Sequence, residues 1–157
     1  MAIELVREYF KDLGIDERIQ EFDVSSATVD LAANALNVKP QRIAKTLSFK
    51  TKDGDSCILV VTAGDAKIDN SKFKSKFSMK AKMLTPEEVD TLVGHSIGGV
   101  CPFAISPNIL VYLDESLKRF NTIFPACGSS NSAIELNCEE LFKYSNAMEW
   151  VDVCKIV

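Results

Sequence analysis

Long apolar runs are missing from this sequence. No stretch approaches the roughly 20 consecutive residues that a membrane-spanning helix requires, and Met1-Ala2-Ile3-Glu4 is not a basic segment leading into an apolar one. The cytoplasm is therefore the expected location, with no membrane partner. Histidine is nearly absent, His95 being the only one. A His/Cys zinc site would have to collect thiolates scattered along the chain, so no metal is expected. The five cysteines (Cys57, Cys101, Cys127, Cys138 and Cys154) are odd in number and include no CxxC pair. They read as reduced thiols, because a core of this size needs no disulfide framework. Neither a GxGxxG nor a P-loop pattern occurs, which leaves dinucleotide and nucleoside-triphosphate chemistry without support, and no cofactor is expected. Internal repeats, low-complexity segments and linkers are also lacking.

What is present fits one globular unit. A chain of 157 residues with 46% hydrophobic and 25% charged residues is expected to fold as a single domain over residues 1–157 and to bury about two thirds of its unfolded surface. A net charge of -4 argues against non-specific nucleic-acid binding by the protein as a whole. The charge is uneven, however. Between Lys67 and Lys82 six lysines face one acid, Asp69, which makes either a patch for a polyanion or a solvated helix face.

The pattern of apolar residues alternates between helix and strand periods. Leu5, Val6, Tyr9, Phe10 and Leu13 give a helix over 3–13 that Gly14 stops. Hydroxyls at Ser25, Ser26 and Thr28 precede a second helix, and Pro40 suits the first position of a short turn over 40–44. Segments 46–50 and 56–62 flank Asp53-Gly54 and predict a hairpin, with the second strand apolar enough to be covered on both faces. A helix capped by Asp69 or Ser71 comes next, then a brief strand over 81–84. Thr85-Pro86-Glu87-Glu88 has capping-box spacing and opens a helix ended by Gly94. Strands are expected over 109–113, 122–124 and 133–136, a helix over 139–144, and a closing strand over 150–153. Short strands mixed with short helices indicate an α+β fold with a mixed sheet.

Two features can carry chemistry. Lys45 falls where the turn after Pro40 runs into a strand, and the loop Gly98-Gly99-Val100-Cys101-Pro102 lies some fifty residues later. A lysine at a helix-to-strand junction and bare glycine backbone are parts from which a phosphate- and carbonyl-reading site can be built. Cys101 and His95 lie close enough in sequence for a Cys/His nucleophilic pair, although no third group is evident to orient the histidine. Asp65, after Gly64, reads as a turn residue.

Taken together, Leu31-Ala32-Ala33, Arg42-Ile43-Ala44-Lys45-Thr46-Leu47, Gly98-Gly99-Val100-Cys101-Pro102-Phe103 and Ala133-Ile134-Glu135-Leu136 resemble the YbaK/EbsC family, free-standing relatives of the editing domain inserted in bacterial prolyl-tRNA synthetases. The resemblance runs from about Val24 to the C-terminus. It implies a single compact domain with a curved mixed β-sheet flanked by helices, acting in trans as an aminoacyl-tRNA deacylase that hydrolyses the ester of a wrong, small amino acid, with tRNA-Pro the tRNA suggested. By the same resemblance Lys45, Gly98 and Gly99 are the catalytic candidates. Thr28, Thr46, His95, Pro102 and Ser130 are the substrate-binding ones. Cysteine-editing members carry an aromatic residue at the position of Thr28 and an acid at that of Ala133, so this chain implies a differently shaped pocket. The partner implied is aminoacyl-tRNA, with a synthetase or elongation factor as a further one. Two other readings stand beside it: a non-catalytic module that binds aminoacyl-tRNA or a nucleotide and docks on a synthetase, and a thiol hydrolase dependent on Cys101.

Overall fold

The structure is a computed structural model and describes residues 2–96 and 98–157. Five α-helices and nine short strands are found among them. In chain order they are α1 (Ala2–Asp12), β1 (Ile19–Glu21), α2 (Val29–Leu36), β2 (Ile43–Lys50), β3 (Cys57–Ala63), β4 (Ala66–Ile68), α3 (Asn70–Phe77), α4 (Pro86–Leu92), β5 (Leu110–Asp114), β6 (Phe124–Pro125), β7 (Ser132–Ile134), α5 (Cys138–Tyr144), β8 (Glu149–Val151) and β9 (Cys154–Ile156). No helix among the described residues is long and apolar enough to cross a membrane.

The centre is a mixed five-stranded sheet in the order β6-β2-β3-β5-β8. Strand β3 is buried along its whole length, as its unbroken apolar run requires. Each fully buried Leu, Val or Ile contributes about 1.5–3 kcal/mol relative to exposure, which makes β3 the spine of the fold. β2 pairs antiparallel with it from Ala44↔Ala63 to Lys50↔Cys57. The hairpin turns at Gly54, where φ is +79°, and Asp53 closes it by accepting from the Asp55 N–H at 3.0 Å. Helix termini follow the sequence. Thr85 and Glu88 form a reciprocal capping box on α4, Asn137 and Glu140 one on α5, and Asp69 caps α3, each such cap being worth about 1 kcal/mol. Phe73 and Phe77 share one face of α3 with ring centroids 4.7 Å apart.

The other edge of β2 creates the site. There β2 is not covered by one strand but by two short pieces. β6 pairs in parallel at Ile43 and Ala44 only, and it stops at Pro125, which has no N–H with which to continue a ladder. At the far end Lys50 N–H donates to Lys82 O at 2.8 Å and Leu84 N–H donates to Ser48 O at 3.2 Å. Between them, among the described residues, the edge of β2 from Lys45 to Leu47 is left open as a notch. Strand alternation fixes what faces it. Because Ser48 and Lys50 turn their main-chain groups away from β3, Thr46, two residues earlier, directs its own N–H and C=O into the notch.

Distant segments hold the rim. β1 pairs antiparallel with β7, and beyond it Phe22 N–H donates to Asn131 O at 2.8 Å and Ser26 N–H donates to Ser130 O at 2.6 Å. Arg42 donates to Thr122 and, at 3.2 Å, to Glu135 Oε2, and its guanidinium stacks over Phe124 at 5.0 Å. Two of the sequence motifs, around Arg42 and around Glu135, are thus tied to one another.

Several expectations shift. The turn after Pro40 ends at Arg42 and the strand begins at Ile43, so Lys45 is the third residue of a strand rather than a junction residue; pairing with β3 and β6 extends the strand backwards. The brief strand over 81–84 reduces to a single bridge, Phe49↔Met83. β1, β4 and β9 were not expected; each has only three residues, too few to display a period.

Candidate functional site

The notch opens into a cavity of about 180 Å³. Its floor is the open edge of β2, with Lys45, Thr46 and Ser48. Its walls come from α2 (Val29, Ala32), α4 (Val89), Leu84, Phe124 and the loop at Gly98 and Val100. Most of the wall is apolar, and no carboxylate or histidine lines it among the described residues.

Among the described residues Lys45 supplies the only charge in that lining. It is half-buried, and its ammonium makes no hydrogen bond or ion pair with any of them. Burial pushes its ammonium below the ordinary lysine value, while Cys154 and Asp65 act in the opposite direction. Asp65 does not neutralise it, because both carboxylate oxygens are taken by Arg119 at 3.0 and 2.5 Å; that pairing, more than Lys45, holds the Asp65 carboxyl below its usual range. An unpaired, partly desolvated ammonium has strong reason to bind an anion or a developing oxyanion.

The glycine loop contributes shape. Gly98 has φ +90°, and a Cβ there would lie 2.9 Å from the Ala27 Cβ, so only glycine lets the loop close over the segment before α2. At Gly99 a Cβ would stand 2.7 Å from the Ser129 backbone. Gly98 lines the cavity and Gly99 does not. The Gly99 N–H is moreover engaged by Ser96 O at 3.0 Å, which removes it as a donor to substrate; its place is behind the loop, packed on Ser129. Thr28 lines the cavity while its hydroxyl caps α2 by accepting from Leu31 N–H at 3.2 Å.

Four other residues named from the sequence stand elsewhere. His95 is buried, and its Nε2 lies 3.0 Å from Phe103 O. A carbonyl only accepts, so Nε2 carries the proton, and the lone pair sits on Nδ1, which has no partner among the described residues. Burial also lowers the His95 pKa, the Phe103 bond opposing it. Cys101 Sγ is 3.5 Å from the same Nε2, but that nitrogen cannot accept its proton, and burial pushes the thiol up to about 12. The pair is a sealed structural cluster under the loop, which removes the Cys101-dependent hydrolase. Pro102 faces a different hollow beside Tyr9 and Tyr144. Ser130 is exposed and acts through its carbonyl, which holds the Ser26 main chain.

Residues 24–144 match the aminoacyl-tRNA editing domain family. The chain belongs to that family. Among its relatives is the uncharacterized protein YwhH of Bacillus subtilis, 53% identical over 155 residues that cover 99% of this chain and 98% of that one. An Enterococcus faecalis protein with the provisional name Cys-tRNA(Pro)/Cys-tRNA(Cys) deacylase EbsC is 26% identical over 121 residues, covering 76% of this chain and 73% of that one. A crystal structure provisionally described as a trans-editing enzyme for prolyl tRNA synthetase superposes with a TM-score of 0.86 at 26% identity, covering 98% and 97% of the two chains. The α+β architecture with a mixed sheet is therefore that of the editing-domain fold.

Sequence reasoning missed one part of this editing domain's cavity. Ser26 is 7% exposed and lines the wall, and its Oγ has no hydrogen-bond partner among the described residues; Thr46 Oγ1 on the floor is likewise buried and unpartnered. Ser26 reads in the sequence only as one of several hydroxyls before a helix, and only the pairing of residues 19–26 with 130–134 brings it to the cavity. The lysine-rich segment is also less cationic than its sequence. Lys72 pairs with Asp152 at 3.1 Å and Lys76 with Glu149 at 2.7 Å, both acids coming from the far end of the chain. Lys74 and Lys80 border a shallow hollow, and the chain continues from there through Lys82 to Met83 at the cavity rim.

Proposed function

We propose that this editing domain is a trans-acting hydrolase that deacylates mischarged aminoacyl-tRNA, with the acyl group in the notch beside β2. The observation that carries the reading is Lys45, a half-buried ammonium without a partner among the described residues, on the floor of a small and otherwise apolar cavity. In this reading Lys45 holds either the terminal phosphate or the carbonyl oxygen of the aminoacyl-adenosine. Where it meets the carbonyl, it stabilises the charge that develops as water adds to the carbonyl carbon. The C–O bond to the ribose then breaks and the ribose oxygen takes up the proton. With no carboxylate or histidine in the described lining, the water is oriented by the substrate's own free ribose hydroxyl. An aminoacyl ester is already activated, so positioning alone gives a useful rate.

A cavity of about 180 Å³ suits a small amino acid, and the relatives named for prolyl tRNA support tRNA-Pro as the carrier. Lys74 and Lys80 extend the contact to phosphates outside the cavity. The whole of residues 1–157 works as one unit in this reading. The same lack of a general base favours a second reading, a module that binds and protects the ester. A panel of aminoacyl-tRNAs (Cys, Ala, Ser, Thr and Pro on tRNA-Pro and on their own tRNAs) separates the two. Many turnovers of one or a few esters, lost in Lys45→Ala, supports the hydrolase; tight retention of every ester without release supports the binding module.

A further inference from the structure

Two unpartnered hydroxyls in the cavity deepen the proposed function, and any role for them in choosing the acyl group rests on that reading. Protein interiors rarely leave buried polar atoms unmatched, because each such atom retains most of its desolvation penalty. Here two belong to residues of one lining, Ser26 Oγ and Thr46 Oγ1. Their neighbours show that partners are otherwise found. Thr28 Oγ1 accepts from Leu31 N–H at 3.2 Å, and Ser132 Oγ, in the same wall, shares a 2.6 Å hydrogen bond with Ser129 Oγ. Ser26 is also held firmly. Its main chain is bound to Ser130 at 2.6 Å, which fixes the point from which the side chain enters the cavity wall. Thr46 adds its main-chain N–H and C=O, both directed into the gap that Pro125 leaves in the sheet.

We infer that Ser26 and Thr46 form a polar subsite that reads a hydroxyl on the side chain of the aminoacyl group, so that this editing domain selects a small hydroxyl-bearing amino acid over its apolar isostere. The chemistry is reciprocal. A hydroxyl donates one hydrogen bond and accepts others, which matches a subsite of two hydroxyls, each able to donate or accept, and one accepting carbonyl. An acyl group with a methyl in the same place would leave both wall hydroxyls and the Thr46 carbonyl without partners on closure. A site built to bond a substrate hydroxyl rejects the analogue lacking it far better than an apolar pocket rejects an added one. The apolar part of the wall, Ala32, Ile43, Leu84, Val89 and Phe124, sets the size limit.

The test compares seryl- and alanyl-tRNA-Pro, which differ by one oxygen, in the wild type, Ser26→Ala, Thr46→Val and Thr46→Ser, with circular dichroism and melting to confirm folding. The wild type is expected to favour the seryl ester in kcat/KM by about tenfold or more. Ser26→Ala and Thr46→Val each bring the seryl-to-alanyl ratio towards one, and Thr46→Ser, which keeps the hydroxyl, restores it. Thr46→Val is nearly isosteric and guards against a loss due to misfolding. A wild type that prefers the alanyl ester, or a ratio unmoved in folded Ser26→Ala and Thr46→Val, overturns the subsite while leaving the hydrolase intact. No hydrolysis of either ester or of any other in the wider panel overturns the hydrolase and the subsite with it.

Discussion

Two clusters of reactive groups flank the glycine loop, and they differ in what they touch. On one side His95 and Cys101 lie 3.5 Å apart, a nucleophile and a base by residue type. Both are sealed from solvent, the histidine proton is committed to Phe103 O, and the thiol is pushed up to about 12. On the other side Lys45, Thr46 and Ser26 form no recognisable dyad, yet they line a cavity and retain unused hydrogen-bonding capacity. Proximity of the right residue types is common in a packed interior; unspent polar capacity facing a cavity is not. The second cluster is where chemistry is expected.

The sharpest way to break this contrast is at Lys45. Replacement by Met keeps the aliphatic stem and removes the charge, and kcat/KM for the preferred ester should fall by about a hundredfold or more, the scale of losing one oxyanion donor. The same change should raise the melting temperature at neutral pH, because it relieves a desolvated, unpaired charge. Linkage gives the sign of the pH dependence. The folded-state pKa of Lys45 lies below its unfolded value, so between the two the unfolded chain binds more protons and wild-type stability rises with pH. Lys45→Met should lack that rise below the ordinary lysine pKa of 10.5, and pH-dependent melts of the two proteins would reveal it. An identical pH profile would mean that Lys45 is solvated.

Next in size is Gly99→Ala, which places a Cβ 2.7 Å from Ser129 backbone atoms. Overpacking against main chain should cost about 1–3 kcal/mol in denaturant unfolding. Because the displaced turn leads to Ser132 and Ala133 in the cavity wall, KM should rise as well. Cys101→Ala sharpens the comparison from the other side. It should destabilise by about 1 kcal/mol for a small buried group, yet alter kcat/KM by less than about threefold. A loss like that of Lys45→Met would restore the thiol as a participant. Smallest of all, Lys74→Gln or Lys80→Gln should weaken tRNA binding and lower the slope of log K against log salt by about 0.7–1. Lys72→Gln and Lys76→Gln should lower it less, since Asp152 and Glu149 already occupy those ammonium groups.

The same contrast explains what could be read from the sequence. Local chemistry was legible: the hairpin at Asp53-Gly54, the caps at Asp69 and Thr85, and the unbroken apolar run of β3 all depend on neighbours within a few residues. Lys45 and Gly98 stood out through their local wording, and the structure brings both to one cavity. Features made by long-range pairing were not legible. The notch exists because β6 ends at a proline some eighty residues from β2, and the surroundings of His95 and Cys101 are closed by α1, whose Phe10 packs edge-on against Phe103 with centroids 4.8 Å apart. Ser26 gave no period and no motif; its role depends on a three-residue strand that pairs with another more than a hundred positions away.

That strand also bears on where this fold can be cut. The family match begins at residue 24, but β1 lies before it, and α1 packs so closely on the loop before β7 that a side chain at Gly128 would come within 3.0 Å of the Ala2 backbone. A protein trimmed to the matched region would keep every conspicuous motif and lose the brace that holds the segment leading to Ser26 in the cavity wall. The smallest transplantable editing unit of this kind is therefore longer than its recognisable core. Grafting it into a synthetase, or fusing it to another protein, calls for carrying the first two dozen residues along.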